Sequence, residues 1–229
     1  MKTGIQRIRP RRYRALLVAL AVALTTAFTA CGGSSNSGVA SKSAAEILSA
    51  SKAAAASATS VHLTTTTGEV VLDVNLTPNG GTGRLTLSGS TLELMRVGST
   101  LYLKAAPKVY RNLGITATVP AQAWLKVTAN QSPQLAAFTE MSGELNRLLV
   151  GPLTKGATTT VNGQKVVELT EKKPLYTRSL FVATSGKPYP VEILIKGQVT
   201  GKTTFSEWNK PVTLTRPANS IDITQLKHP

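Results

Sequence analysis

The sequence predicts an α+β domain built on one large, curved antiparallel sheet whose apolar face is covered by helices. Three observations lead there. Long stretches alternate apolar and polar residues with a period of two, and turn signals rich in Gly, Asn and Ser separate them at intervals of roughly ten residues. Two other segments have the caps and spacing of amphipathic helices. Of the 229 residues 41% are hydrophobic and only 16% charged, against roughly 25% in an average domain, so charge-driven disorder and a coiled coil are both excluded.

The N-terminus is set apart by its charge. Lys2, Arg7, Arg9, Arg11, Arg12 and Arg14 precede the apolar run Ala15 to Leu24, the order of a targeting signal. That run is too short to cross a bilayer, which needs about 20 apolar residues. Phe28-Thr29-Ala30-Cys31 follows, with small residues before the lone cysteine, and resembles a bacterial lipobox. The resemblance implies a signal peptide over 1–30 and a thioether-linked lipid on Cys31. Residues 31–42, rich in Gly, Ser, Asn and Ala, read as a flexible tether, and 43–229 as the folded domain.

Ser43-Ala44-Ala45-Glu46 is a capping box ahead of an alanine-rich run, which predicts a helix over about 44–58. From Val61 the period becomes two. Leu72, Val74 and Leu76 alternate with Asp73 and Asn75, and Leu85 and Leu87 alternate with Thr86 and Ser88. Further strands are predicted over 91–97 and 100–104, the latter carrying Leu101 and Leu103, with turns at Pro78-Asn79, Gly89-Ser90 and Gly98-Ser99. Residues 105–123 read as a loop and 123–127 as a short strand. Ser132-Pro133 starts a second helix, expected to continue to about Val150, with Leu135, Phe138, Met141 and Leu145 on its apolar face. Strands are then predicted over 158–161, 164–170, 176–184, 191–196, 199–206 and 212–215, the third and fourth placing Leu180, Val182, Ile193 and Ile195 on the apolar side.

The inventory of reactive groups is poor. One cysteine allows neither an intramolecular disulfide nor a Cys-based zinc cluster, and two histidines, His62 and His228, are too few for most metal sites. No nucleotide-binding glycine motif or nucleophile elbow occurs, so no catalytic residue, metal or cofactor is expected. The net charge of +15 is spread over strands and loops with little aromatic interleaving, which favours a membrane neighbour over nucleic acid. Lys172-Lys173, Lys104, Lys108 and Arg111 are the candidates for headgroup contact. The apolar positions are aliphatic, a lining suited to acyl chains.

Ser206-Glu207-Trp208-Asn209-Lys210-Pro211-Val212, with Arg216-Pro217 beyond it, resembles the closing signature of the LppX/LprA/LprF/LprG lipoproteins of mycobacteria and their relatives. Ile47-Leu48, Ser60-Val61-His62, Leu101-Tyr102, Trp124 and Gly186-Lys187-Pro188 stand in the family's order. The resemblance implies a half-barrel with helices on its concave side around an apolar cavity, and no catalytic residues. It implies a membrane-anchored protein on the extracytoplasmic face, binding acylated lipids or lipoglycans for transfer through the envelope. On that reading the acyl chains meet Leu72, Val74, Leu85, Leu87, Leu101, Leu103, Leu180, Val182, Ile193 and Ile195 of the sheet, and Leu135, Phe138, Met141 and Leu145 of the helix. The alternative is a non-enzymatic interaction module with a filled core that assists an envelope transporter or senses at the membrane.

Overall fold

A computed structural model describes residues 38–115, 118–120 and 122–226. The signal segment, Cys31 and most of the expected tether lie outside the described residues. Within that tether Val39 is already buried in a short 3-10 turn, Val39–Ser41, so the packed region starts ahead of residue 43.

Among these residues twelve strands form one curved, unclosed sheet. In chain order they are β1 (Val61–Thr67), β2 (Val70–Thr77), β3 (Gly80–Leu87), β4 (Ser90–Val97), β5 (Thr100–Ala105), β6 (Trp124–Thr128), β7 (Thr154–Val161), β8 (Gln164–Lys172), β9 (Tyr176–Ala183), β10 (Pro190–Gly197), β11 (Gly201–Ser206) and β12 (Ser220–Asp222). Their order in space is β12-β6-β5-β4-β3-β2-β1-β11-β10-β9-β8-β7. Two meanders, β1–β6 and β7–β11, are therefore zipped into one sheet where β1 pairs with β11. All pairings are antiparallel except β12 with β6.

The β1–β11 junction is held by the segment that carries the sequence signature. Asn209 donates its backbone N–H to the Ser60 carbonyl at 3.0 Å, and its side-chain oxygen accepts from the Thr59 N–H at 2.9 Å. The Ser60 hydroxyl donates to the Lys210 carbonyl, and Trp208 stacks on Tyr189 with ring centroids 4.5 Å apart. These contacts close a loop of well over a hundred residues, a pairing that no local pattern encodes.

Among the described residues four α-helices pack on one face: α1 (Ala44–Ala56), α2 (Pro107–Asn112), α3 (Pro133–Ala137) and α4 (Met141–Leu148). The capping box that starts α1 is formed, Ser43 accepting from the Glu46 N–H while Glu46 accepts from the Ser43 N–H. Three expectations are corrected. The stretch 105–123 contains α2, started by Pro107 at its first turn and pinned by buried Tyr110, whose hydroxyl donates to the Leu103 carbonyl at 2.9 Å. The helix expected over 133–150 is two helices, broken between Ala137 and Met141. Buried Thr139 turns its hydroxyl back onto the Ala136 carbonyl at 2.7 Å, and Arg96 takes the Thr139 carbonyl for itself. Residues 212–215 form no strand; the last strand among the described residues is the three-residue β12, on the far edge beside β6.

Candidate functional site

The strand registers bring one face of the sheet into an almost purely aliphatic layer. Leu63 pairs with Val74, Val74 with Gly83, Gly83 with Leu94, Leu94 with Leu103 and Leu103 with Leu125, a row running across β1 to β6. On the other half Val167 pairs with Val182, Leu169 with Leu180 and Leu180 with Ile193. Leu72, Val74, Leu85, Leu101, Leu103, Leu180, Val182 and Ile193 are all buried in one cluster with Met141 and Leu145 of α4. Leu135, Phe138 and Ile195 are half-buried against the same cluster. Leu87 is not part of it: it sits at the end of β3, 43% exposed, because its strand runs past the helices that cover Leu85.

Glycine makes room for the helices. A side chain on Gly81, on the inner face of β3, would come within 3.2 Å of the Thr139 carbonyl and 2.7 Å of Leu76. The joint between α3 and α4 thus lies directly on the sheet at a position that only glycine leaves open.

Two inner-face arginines, absent from the sequence-based set, tie the helices down. Arg96 on β4 donates from Nη2 and Nε to the Thr139 carbonyl at 3.0 and 3.3 Å. Arg178 on β9, only 7% exposed, donates to the Leu148 carbonyl at 3.1 Å and to the Val150 carbonyl, with the Glu171 carboxylate 3.6 Å from its Nε. The last carbonyls of a helix have no partner within it and carry partial negative charge, so a buried guanidinium there satisfies both hydrogen bonding and the helix dipole. The signal was present in the alternation: Arg96 follows Leu92 and Leu94 on the apolar phase, and Arg178 precedes Leu180 and Val182.

Between α1 and α4 a cleft opens onto this interior. It has a volume of about 150 Å³ and is lined by Ala55, Ala58, Met141, Leu145 and Leu149, with Lys52 and Asn146 at its rim. Alanines on α1 leave the space that larger side chains would fill. Sites for drug-sized ligands span about 300–1,000 Å³, so the cleft is smaller than such a site, and the rest of the interior is occupied by the protein's own side chains.

The outer face is polar over β1 to β5, while over β8 to β10 it carries a second, smaller apolar cluster of Val166, Phe181, Ala183 and Val191. His62 bridges Asp73 and Ser206, Nε2 lying 2.7 Å from the Asp73 carboxylate and Nδ1 3.1 Å from the Ser206 hydroxyl. This chain has the residue types of a hydrolase triad, but the Asp73 side chain is 56% exposed and lacks the burial with which a triad carboxylate holds its imidazole. Its evident effect is to cross-link β11, β1 and β2. Among the described residues no group of three or more His, Cys, Asp or Glu is placed to hold a metal ion.

No protein-family model matches this chain, and no curated protein matches it in sequence. Solved structures do. LprF from Mycobacterium bovis superposes with a TM-score of 0.56 at 17% identity, over 76% of this chain and 97% of that one. The Mycobacterium tuberculosis lipoprotein LppX gives 0.51 at 18% identity, over 75% and 99%. The fold is that of LprF and LppX. The likeness takes in nearly the whole of both neighbours, so the two meanders and the helices across them together make up the shared architecture.

Proposed function

We propose that this chain is a membrane-anchored envelope lipoprotein whose interior, between sheet and helices, takes up the acyl chains of a lipid or lipoglycan for transfer. The observation that carries the reading is the α1–α4 cleft, which leads from the surface into a single continuous aliphatic layer. Each methylene moved from water into such a layer contributes about 0.8 kcal/mol, so a long acyl chain gains on the order of ten kcal/mol without any directional contact. That matches a lining of Leu, Val and Ile with few polar groups. To admit a whole chain α4 must move away from α1, and its amphipathic Met141–Leu145 segment is the part that lifts. The fold shared with two mycobacterial lipoproteins supports an anchored, extracytoplasmic role, with Cys31 as the anchor. No step in binding or transfer requires a catalytic group.

Native mass spectrometry of the protein carrying Cys31→Ser is expected to show co-purified lipid. The bulky Leu145→Trp, placed in the cleft, is expected to lower lipid uptake severalfold while the protein stays folded. A lipid-free protein that takes up no acyl chain when offered one would overturn the reading. It would favour the interaction module instead, to which the small size of the cleft also points.

A further inference from the structure

The large hydrophobic side chains left exposed are gathered at one end of the sheet. Among the described residues they belong to the β1–β2 hairpin (Val70, Val71), the β3–β4 hairpin (Leu87), the β8–β9 hairpin (Leu175) and the β10–β11 hairpin (Val199), with Leu113 after α2 and Val150 after α4. The registers make these hairpins neighbours: Thr67 faces both Val70 and Gly201, Val70 faces Leu87, and Gly197 faces Tyr176. The helices α2 and α4 join the strands there too, since α2 leaves β5 after Ala105 and Arg178, beside this rim, holds the Val150 carbonyl. The connections at the opposite end include Pro78-Asn79, Gly98-Ser99, Asn162-Gly163 and residues 184–189 between β9 and β10, and none of the exposed large hydrophobics lies on them. Single exposed hydrophobics are ordinary, but their confinement to one end marks a contact surface.

We propose that this end of the sheet docks on an anionic lipid bilayer, with Leu175 and Val199 entering the interface. These two are the most exposed of the set, at 54% and 49%, and each sits at a hairpin tip from which it can reach beyond the body of the fold. Cations surround them. Lys172 flanks Leu175 and Lys196 flanks Val199, both exposed and without an ion-pair partner among the described residues, and Lys108 and Arg111 project from α2 at the same end. Lys173 and Lys202 add charge but already face Glu171 and Glu192 at 3.0 and 2.9 Å. The opposing carboxylate at the rim, Glu69, accepts a hydrogen bond from the Ser88 hydroxyl. Apolar tips interleaved with lysine are the chemistry of interfacial insertion beneath anionic headgroups.

The course of the chain points the same way. The start of α1 lies against Gly151–Leu153, which lead into β7 at this end, and Lys155 at the start of β7 donates to the Ala40 carbonyl. The described chain therefore begins on the proposed docking end, a short stretch of sequence after Cys31. The docking surface stands apart from the interior and does not depend on acyl uptake.

The test uses the full chain with Cys31→Ser and one new cysteine, either Val199→Cys at the docking end or Asn79→Cys at the opposite end, labelled with a polarity-sensitive dye. On phosphatidylglycerol vesicles with brominated acyl chains, the dye at 199 is expected to shift to the blue and be quenched, and the dye at 79 to remain in water. Replacing Lys172 and Lys196 by Gln is expected to weaken the effect at 199 about fivefold per lysine, and phosphatidylcholine vesicles to abolish most of it. Equal quenching at both positions, quenching only at 79, or indifference to headgroup charge would each overturn the proposal. A matched thermal unfolding midpoint for the lysine variants confirms that the loss is one of contact and not of fold.

Discussion

The two faces of the sheet use the same strands for different ends. Inward, Leu63, Leu94, Leu103, Leu125 and Leu180 are wholly buried in the main apolar cluster, which is far larger than the one on the outer side of β8 to β10. Outward, Asp73 on β2 faces Arg84 on β3, Arg84 faces Glu93 on β4, and Glu93 faces Lys104 on β5, a ladder alternating in sign across four adjacent strands. Exposed cross-strand pairs contribute only about 0.2–1 kcal/mol each, while a buried leucine contributes several times that. The difference teaches that stability resides inside and that the outer charges set register. Sliding a strand by two residues would keep the apolar phase inward but would break the alternation of charge.

This division can be broken from the inside first. Leu94→Ala is expected to cost 2–5 kcal/mol, on the order found for buried leucines, and a urea titration would measure it. A cost below about 1 kcal/mol would mean that the interior is loosely packed and collapses around the gap. Next comes the polar exception on the inner face. Arg178→Ala leaves the Leu148 and Val150 carbonyls without their donor, while Glu171 keeps only Lys173, and is expected to destabilise by about 3 kcal/mol. Amide exchange should rise selectively in α4, because that helix loses its tie to β9.

Smaller effects sharpen the contrast. Ser43→Ala removes the cap of α1 at a cost of about 1 kcal/mol, visible as a lower thermal midpoint. Its partner carboxylate gives the cap a pH dependence. Hydrogen bonds from Ser43 hold the Glu46 carboxyl below the usual glutamate range, so the folded state keeps it ionised when the unfolded chain would protonate it. The contribution is complete above the ordinary glutamate pKa and is lost as the pH falls through the lowered folded value. The Ser43→Ala penalty should therefore shrink in acid. Last and smallest, Glu93→Gln on the outer face is expected to change stability by under about 0.5 kcal/mol. An effect equal to that of Leu94→Ala would erase the distinction between the faces.

The strands were legible because each half-buried strand writes its burial into alternating residues, and the turns at Pro78, Gly98 and Asn162 mark where each ends. Asn162 and Gly163 both adopt positive φ, at 49° and 77°, as the hairpin signal Asn-Gly anticipates. The capped start of α1 was legible for the same local reason. The break between α3 and α4 was not, because helical periodicity runs on through Phe138 and only Arg96, forty-three residues earlier in the chain, competes for the Thr139 carbonyl. Nor was β12, whose three residues are too short for a pattern and which pairs with a strand nearly a hundred residues away. Of the expected lining, Leu87 has the correct phase on its strand but lies beyond the edge of the helical cover, and phase says nothing about how far a cover extends.

By itself the sequence determined which residues face inward, where hairpins turn, that the lining is aliphatic and that reactive groups are scarce, since each of these follows from neighbours along the chain. Tertiary structure alone decided that two meanders become one sheet through β1 and β11, that Arg96 and Arg178 reach across to hold α3 and α4, that a cleft opens between α1 and α4, and that the exposed hydrophobics meet at one end. Those features join residues far apart in sequence. Their formation depends on loop closure and mutual packing, which periodicity and composition do not record.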